Sequence, residues 1–298
     1  MRRATIAACL ALICAVLPAA AQGANPDLYA LDEASASLSS TQAGAHADFT
    51  NFFSVTEDEA AYPHAETRDV IVALPPGLVG NPEAFPKCTT LQLGTEPINS
   101  ECPQDSQIGS IDVELYTHTP YPNSPIYNMP APNDAVARFG FFGGFYPGII
   151  TVRLNPETNS LVGTVEGIPA AALLLSSATT FWGVPAATKH DPERLTPLEA
   201  LEGKAPPGGS RESTQPTVPF MTNPTSCEGG RTMTTTVRSY ERPEKTSTIV
   251  SPFPQMTGCT PLEFNPTATA KPSTSQAPRA RASTTSSTSR PKGWSSPT

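Results

Sequence analysis

The sequence predicts an all-β protein: a β-sandwich or jelly-roll-like domain with long proline-rich loops and a disordered C-terminal tail. Three observations predict it. The first is composition. The chain holds 34 prolines and 20 glycines in 298 residues, above the usual combined share of ~12%. Long helices do not hold proline at this density, because it lacks the N–H and clashes with the preceding turn. The second is periodicity. Ile108-Gly109-Ser110-Ile111-Asp112-Val113-Glu114-Leu115-Tyr116 alternates apolar and polar residues, the period of two of a half-buried strand. The third is spacing: short apolar runs recur between Pro- and Gly-rich turns with no helical crossover between them, which suits packed antiparallel sheets.

Taken in order, residues 1–21 read as a secretory signal peptide. Arg2-Arg3 precedes an apolar run from Ala4 to Leu17, and Pro18-Ala19-Ala20-Ala21 supplies a small-residue cleavage site after Ala21. The run is too short to span a bilayer, so no transmembrane segment is expected after cleavage. Cys9 sits too early in it for a lipoprotein site. Residues 22–45 are small and polar without periodicity and read as a flexible leader.

The disulfide-linked β-sandwich domain is expected over residues 46–270. Its strands are Asp48–Val55, Asp69–Leu74, Ile108–Tyr116, Leu161–Gly167, Leu173–Trp182 and Thr232–Tyr240. Pro75-Pro76-Gly77 ends the second of these, since proline cannot donate to a ladder. Ala135–Gly143 and Ile149–Leu154 form a further pair, joined by a Gly-rich turn containing Pro147. A long loop covers 185–219, with a weak helical signal at Pro197–Leu201. Residues 271–298 contain no Leu, Ile, Val, Phe or Tyr and cannot bury enough surface to order themselves. One reading of this Ser/Thr/Pro-rich tail is a frame shifted near Ala277–Pro278: the serine and threonine codons of Ala282–Ser289, read one base earlier, give apolar and polar slots. The alternative is a native stalk.

Cleavage leaves four cysteines, Cys88, Cys102, Cys227 and Cys259. In an oxidising compartment these read as two disulfides. Three connectivities are open, and the sequential one, Cys88–Cys102 and Cys227–Cys259, is expected because each pair brackets a loop-rich stretch. There is no CxxC or HxxxH spacing, so neither a metal nor a cofactor is expected. All 27 acidic residues lie between Asp27 and Glu263, and the net charge is −8. So acidic a body excludes nucleic acid as a partner, because phosphates require a Lys/Arg surplus. The expected location is secreted or cell-surface, and the expected partner a cell-envelope or extracellular polymer.

Several strings together resemble an uncharacterised group of secreted, modular, β-rich proteins of high-GC actinobacteria. They are Ala43-Gly44-Ala45-His46-Ala47-Asp48-Phe49, Leu74-Pro75-Pro76-Gly77-Leu78-Val79-Gly80-Asn81-Pro82, Cys88, Cys102-Pro103 with Ser106-Gln107-Ile108-Gly109, and Trp182-Gly183-Val184-Pro185 with His190-Asp191 and Arg194. Asn223-Pro224-Thr225-Ser226-Cys227 and Gly258-Cys259 with Leu262, Phe264 and Pro266 complete the set, which covers roughly residues 42–275. The resemblance implies secretion, modular β-architecture and truncation relative to members that continue into further β-domains. It implies no reaction.

Trp182, His190, Asp191 and Arg194 form the candidate binding cluster. A histidine beside a carboxylate is a general-base arrangement, and Arg194 suits an anionic substrate. The competing reading is an Asp191–Arg194 pair that pins a long loop over Trp182. No GxSxG or HExxH string occurs, so no catalytic residue is assigned and the protein is read as a structural or binding module rather than an enzyme. Two alternatives stand beside it: an extracellular hydrolase using His190 and Asp191, and a carbohydrate-binding module using Phe139, Phe141, Phe142, Phe145 and Tyr146. His46 and His64 lie near Asp48 and Glu57-Asp58-Glu59. A calcium or zinc site there competes with a solvated loop, and the absence of a DxDxDG string favours the loop.

Overall fold

The computed structural model describes residues 25–259. The signal peptide and the tail lie outside the described residues. Thirteen strands run in chain order as β1 (Leu31–Leu38), β2 (Phe49–Val55), β3 (Thr67–Ala73), β4 (Val79–Gly80), β5 (Gln107–Leu115), β6 (Thr119–Met129), β7 (Ala137–Gly143), β8 (Tyr146–Asn155), β9 (Ser160–Val165), β10 (Leu174–Phe181), β11 (Met221–Thr222), β12 (Thr232–Ser239) and β13 (Thr246–Pro252). The all-β class holds. Eleven of the strands join one sheet in the order β1-β2-β10-β5-β6-β7-β8-β9-β3-β12-β13, and β4 and β11 form a separate ribbon. The layering expected of a sandwich takes the form of one sheet coiled on itself into a near-barrel.

Every ladder in the large sheet is antiparallel. An odd number of antiparallel strands leaves the two edge strands pointing the same way, so β1 meets β13 in parallel. Side chains close this seam. The Leu31 N–H donates to Ser247 Oγ at 2.9 Å, and the Ser251 hydroxyl donates to the Ala34 carbonyl at 2.5 Å. Just past the strands the Ala43 N–H donates to the Thr257 carbonyl and the Thr257 N–H to the Thr41 carbonyl, both at 2.9 Å.

Alternation decides what fills the barrel. On β2, Phe49, Asn51, Phe53 and Val55 are buried while the residues between them are half-buried. Ile111, Val113 and Leu115 of β5 and Phe139 and Phe141 of β7 join the same core. Each such side chain contributes about 1.5–3 kcal/mol by leaving water. A second, smaller core lies on the outer face, where Cys88, Leu93, Tyr127, Met129 and Phe142 pack together. The segment carrying helix α1 (Thr90–Leu93) covers it, with Thr89 and Gln92 closing a reciprocal capping box. Gly140 is required beneath this layer: a Cβ there would lie 2.6 Å from Met129 Sδ and 2.7 Å from Leu93 Cδ2.

Both disulfides have the sequential pairing, Cys88–Cys102 and Cys227–Cys259. The loop over 185–219 is irregular apart from 3-10 turns and helix α2 (Pro197–Leu201), which falls on the weak helical signal. Two expectations need correction. Leu31–Leu38 is not part of a flexible leader but strand β1, pinned on one side by the β2 ladder and on the other by the seam. Pro147 is not in the turn between β7 and β8; it opposes Phe142 within the ladder, and Gly144, at a φ of 63°, turns the chain.

Candidate functional site: the barrel interior and its pinned rim

The sequence places Trp182 directly after β10, and the fold gathers the other three candidate residues around it. The Trp182 N–H donates to the Ile108 carbonyl at 2.9 Å, and the next N–H, of Gly183, donates to Asp48 Oδ1 at 2.8 Å. A Cβ at Gly183 would lie 2.1 Å from the His46 carbonyl oxygen, so only glycine lets these segments cross. A run of 3-10 turns over Thr188–Glu193 then folds back onto the indole. His190, 3% exposed, stacks on Trp182 with centroids 4.4 Å apart. Its Nδ1 lies 3.1 Å from Glu193 Oε2, and its Nε2 pairs ionically with Asp48 Oδ1 at 3.3 Å. Arg194, 1% exposed, holds Asp191 at 3.3 Å, donates to the Pro185 carbonyl, and sets its guanidinium carbon 5.3 Å from the indole centroid.

Burial alone would draw the His190 pKa down, but the Asp48 and Glu193 carboxylates outweigh it and raise the pKa. Burial likewise pushes Asp48 up, but His190, the Lys189 ammonium at 2.5 Å and the Gly183 N–H outweigh it. They hold that carboxyl well below the usual range. Stacked on the indole, with carboxylates 3.1 and 3.3 Å from its two nitrogens, the His190 ring is turned toward the loop's own partners. The candidate residues face one another, and together they fasten the loop to the barrel rim.

What this fastening positions is the end of the loop. The Phe220 N–H donates to the Gly183 carbonyl at 2.8 Å and the Asn81 N–H to the Phe220 carbonyl at 2.8 Å. The β4–β11 ribbon, with Met221 opposite Gly80, continues this edge. Phe220 packs edge-on to Phe85 and Phe139, at 5.7 and 6.0 Å between centroids, and lines the end of a cavity.

That cavity is the feature the sequence reading missed. It has a volume of about 390 Å³ inside the barrel, and apolar side chains from opposite walls form most of its surface, among them Phe53, Val72, Phe139, Ile150 and Leu161. Val79 and Val136, which also line it, are 51% and 47% exposed. Its polar side chains are few. Asn51 sits between Phe49 and Phe53 on the inner face of β2, directly opposite Thr179 of β10, and Ser177 lies two residues away on the same face. Asn51 is 6% exposed, and its Oδ1 has no hydrogen-bond partner among the described residues. Glu166, which is exposed, is the one charged residue along the lining. The available signal was Asn51 itself, a polar residue at an inward position of an apolar alternation.

The remaining candidates resolve simply. Of the proposed sugar-stacking rings, Phe139 and Phe141 point into the barrel and Phe142 lies under the disulfide-linked outer layer. These three are buried, which leaves Phe145 exposed and Tyr146 half-buried, without a flat row of partners. That strip is core rather than platform. His46 Nδ1 lies 3.1 Å from the Met221 carbonyl, so His46 helps hold the ribbon, and His64 stands apart from it, lining a separate cleft with Glu57, Glu114 and His118. Among the described residues no three His, Cys, Asp or Glu side chains converge to hold a metal ion. No protein-family model, curated protein or solved structure matches the chain.

Proposed function

We propose that this domain is a binding module that encloses an apolar small molecule inside its barrel, in a protein that acts outside the cell or at its surface. The observation that carries the reading is the cavity of about 390 Å³ with a nearly all-apolar lining and one polar patch. Close packing is the rule in protein interiors, with few voids larger than a water. An apolar hollow of this size falls within the ~300–1,000 Å³ range of small-molecule sites. A structural spacer has no use for it. The two disulfides support an oxidising compartment. The charged side chains of the rim pair with one another, which supports binding rather than turnover.

The test uses N-phenyl-1-naphthylamine, a neutral apolar fluorophore. Saturable, one-to-one enhancement of its fluorescence by the purified protein is expected. The absence of saturable enhancement, with the β-rich circular dichroism spectrum intact, would overturn the reading.

A further inference from the structure

We propose that the ligand is an uncharged, largely aliphatic alcohol whose hydroxyl is read by Asn51 and Thr179. This rests on the reading of the interior as a binding site and names the chemistry that site takes. Two observations carry it.

The first concerns charge. The cavity lining holds no Lys, Arg or His, and its one charged residue, Glu166, just past the end of β9, is exposed. An ionised head brought into such a lining loses its hydration and finds no cation. Fatty acids in their ionised form are therefore excluded by the same surface that welcomes their chains.

The second concerns hydrogen bonding. The Asn51 carboxamide is buried between two phenylalanines with an unpartnered Oδ1, whereas buried polar groups are ordinarily paired. A carboxamide both donates and accepts, and a hydroxyl opposite it does the same, so one alcohol oxygen satisfies both roles. Thr179, directly across the ladder from Asn51, adds a second hydroxyl to the patch. A ligand with no donor leaves the Asn51 oxygen as it is, buried and unpaired, and forgoes that gain.

The experiment displaces bound N-phenyl-1-naphthylamine at about pH 8 with three ligands of equal chain length: 1-decanol, decanoate and decyl methyl ether. Decanol is expected to displace the probe at more than about tenfold lower concentration than decanoate. Lowering the pH to about 3, below the ordinary carboxylate range, neutralises the acid and should narrow that gap. In Asn51→Leu the affinity for decanol should fall by about 3–10-fold while that for the ether holds. Thr179→Val, which keeps the side-chain shape, gives a second readout where Asn51→Leu does not fold. Equal displacement by decanol and decanoate, or a preference for decanol over the ether that survives in the folded variants, overturns the proposal while leaving the binding function standing. Failure of the probe to bind the parent protein overturns the binding function first.

Discussion

His190 lies almost parallel to Trp182, with ring centroids 4.4 Å apart and 14° between planes, and each of its nitrogens meets a carboxylate. The nearer in sequence is Glu193, in the same run of turns. The other, Asp48, belongs to the segment that enters β2, so a single imidazole ties the long loop to a distant stretch of chain.

This tie makes stability depend on pH in a defined window. The His190 pKa is raised above 6.5, so its contribution is complete below that value and is lost as pH climbs through the raised one. Asp48 is lowered from 3.8, so its contribution is complete above that value and is lost as pH falls through the depressed one. Both contributions are whole between 3.8 and 6.5. His190→Gln should therefore destabilise most in that window and progressively less in alkaline solution. Urea midpoints of parent and variant across the range measure it, and a difference independent of pH would refute it.

Arg194 and Asp191 form a buried pair, 1% and 11% exposed at the side chain. Removing one charge leaves the other unpaired, so Arg194→Met should cost about 3–5 kcal/mol. The double variant with Asp191→Leu should cost less than the single one, since no charge is then stranded. Chemical denaturation of the three proteins decides it.

Gly163 of β9 faces the cavity, and a Cβ there would meet only Ile150 Cγ2, at 3.6 Å. Gly163→Leu fills hollow space and restricts a flexible residue within a strand. The melting temperature should rise by roughly 2–4 °C for each kcal/mol gained. Saturable enhancement of N-phenyl-1-naphthylamine should be lost in the same variant. Retained binding would place the probe elsewhere.

The Cys88–Cys102 bridge closes the outer layer, away from the barrel interior. Replacing both cysteines with alanine should cost about 2–4 kcal/mol, as expected for a short loop. Probe binding should persist at a temperature where the variant remains folded. Parallel loss of binding would show that the outer layer helps shape the cavity.

The strands that could be read from sequence are those with one strongly apolar face. Phe49–Val55 and Gln107–Leu115 each bury their inward residues, and the alternation shows it. β1, with Asp32, Glu33 and small residues, lies at the seam and is only partly covered, so it carries no such signature. β6 hides behind Pro120, Pro122 and Pro125. Its N-terminal half is exposed and bulged, with Asn123 at a φ of 54° and its N–H held by Asp112 Oδ1 at 2.6 Å. Proline is tolerated at such irregular positions. The rim cluster was legible because Trp182, His190, Asp191 and Arg194 are close in sequence. Asp48, its most distant member, was not. A hollow leaves still less trace, since it consists of side chains that stop short, and a single asparagine among phenylalanines was its one mark.

The parallel seam between β1 and β13 gives the wall a property that a fully laddered barrel lacks. Where serine hydroxyls bridge the edges, the two sides can slide or part by a small amount at the cost of a few such contacts, leaving the main-chain pairing of the other ten junctions untouched. Amide hydrogen exchange should find the seam-facing groups of β1 and β13 breathing first.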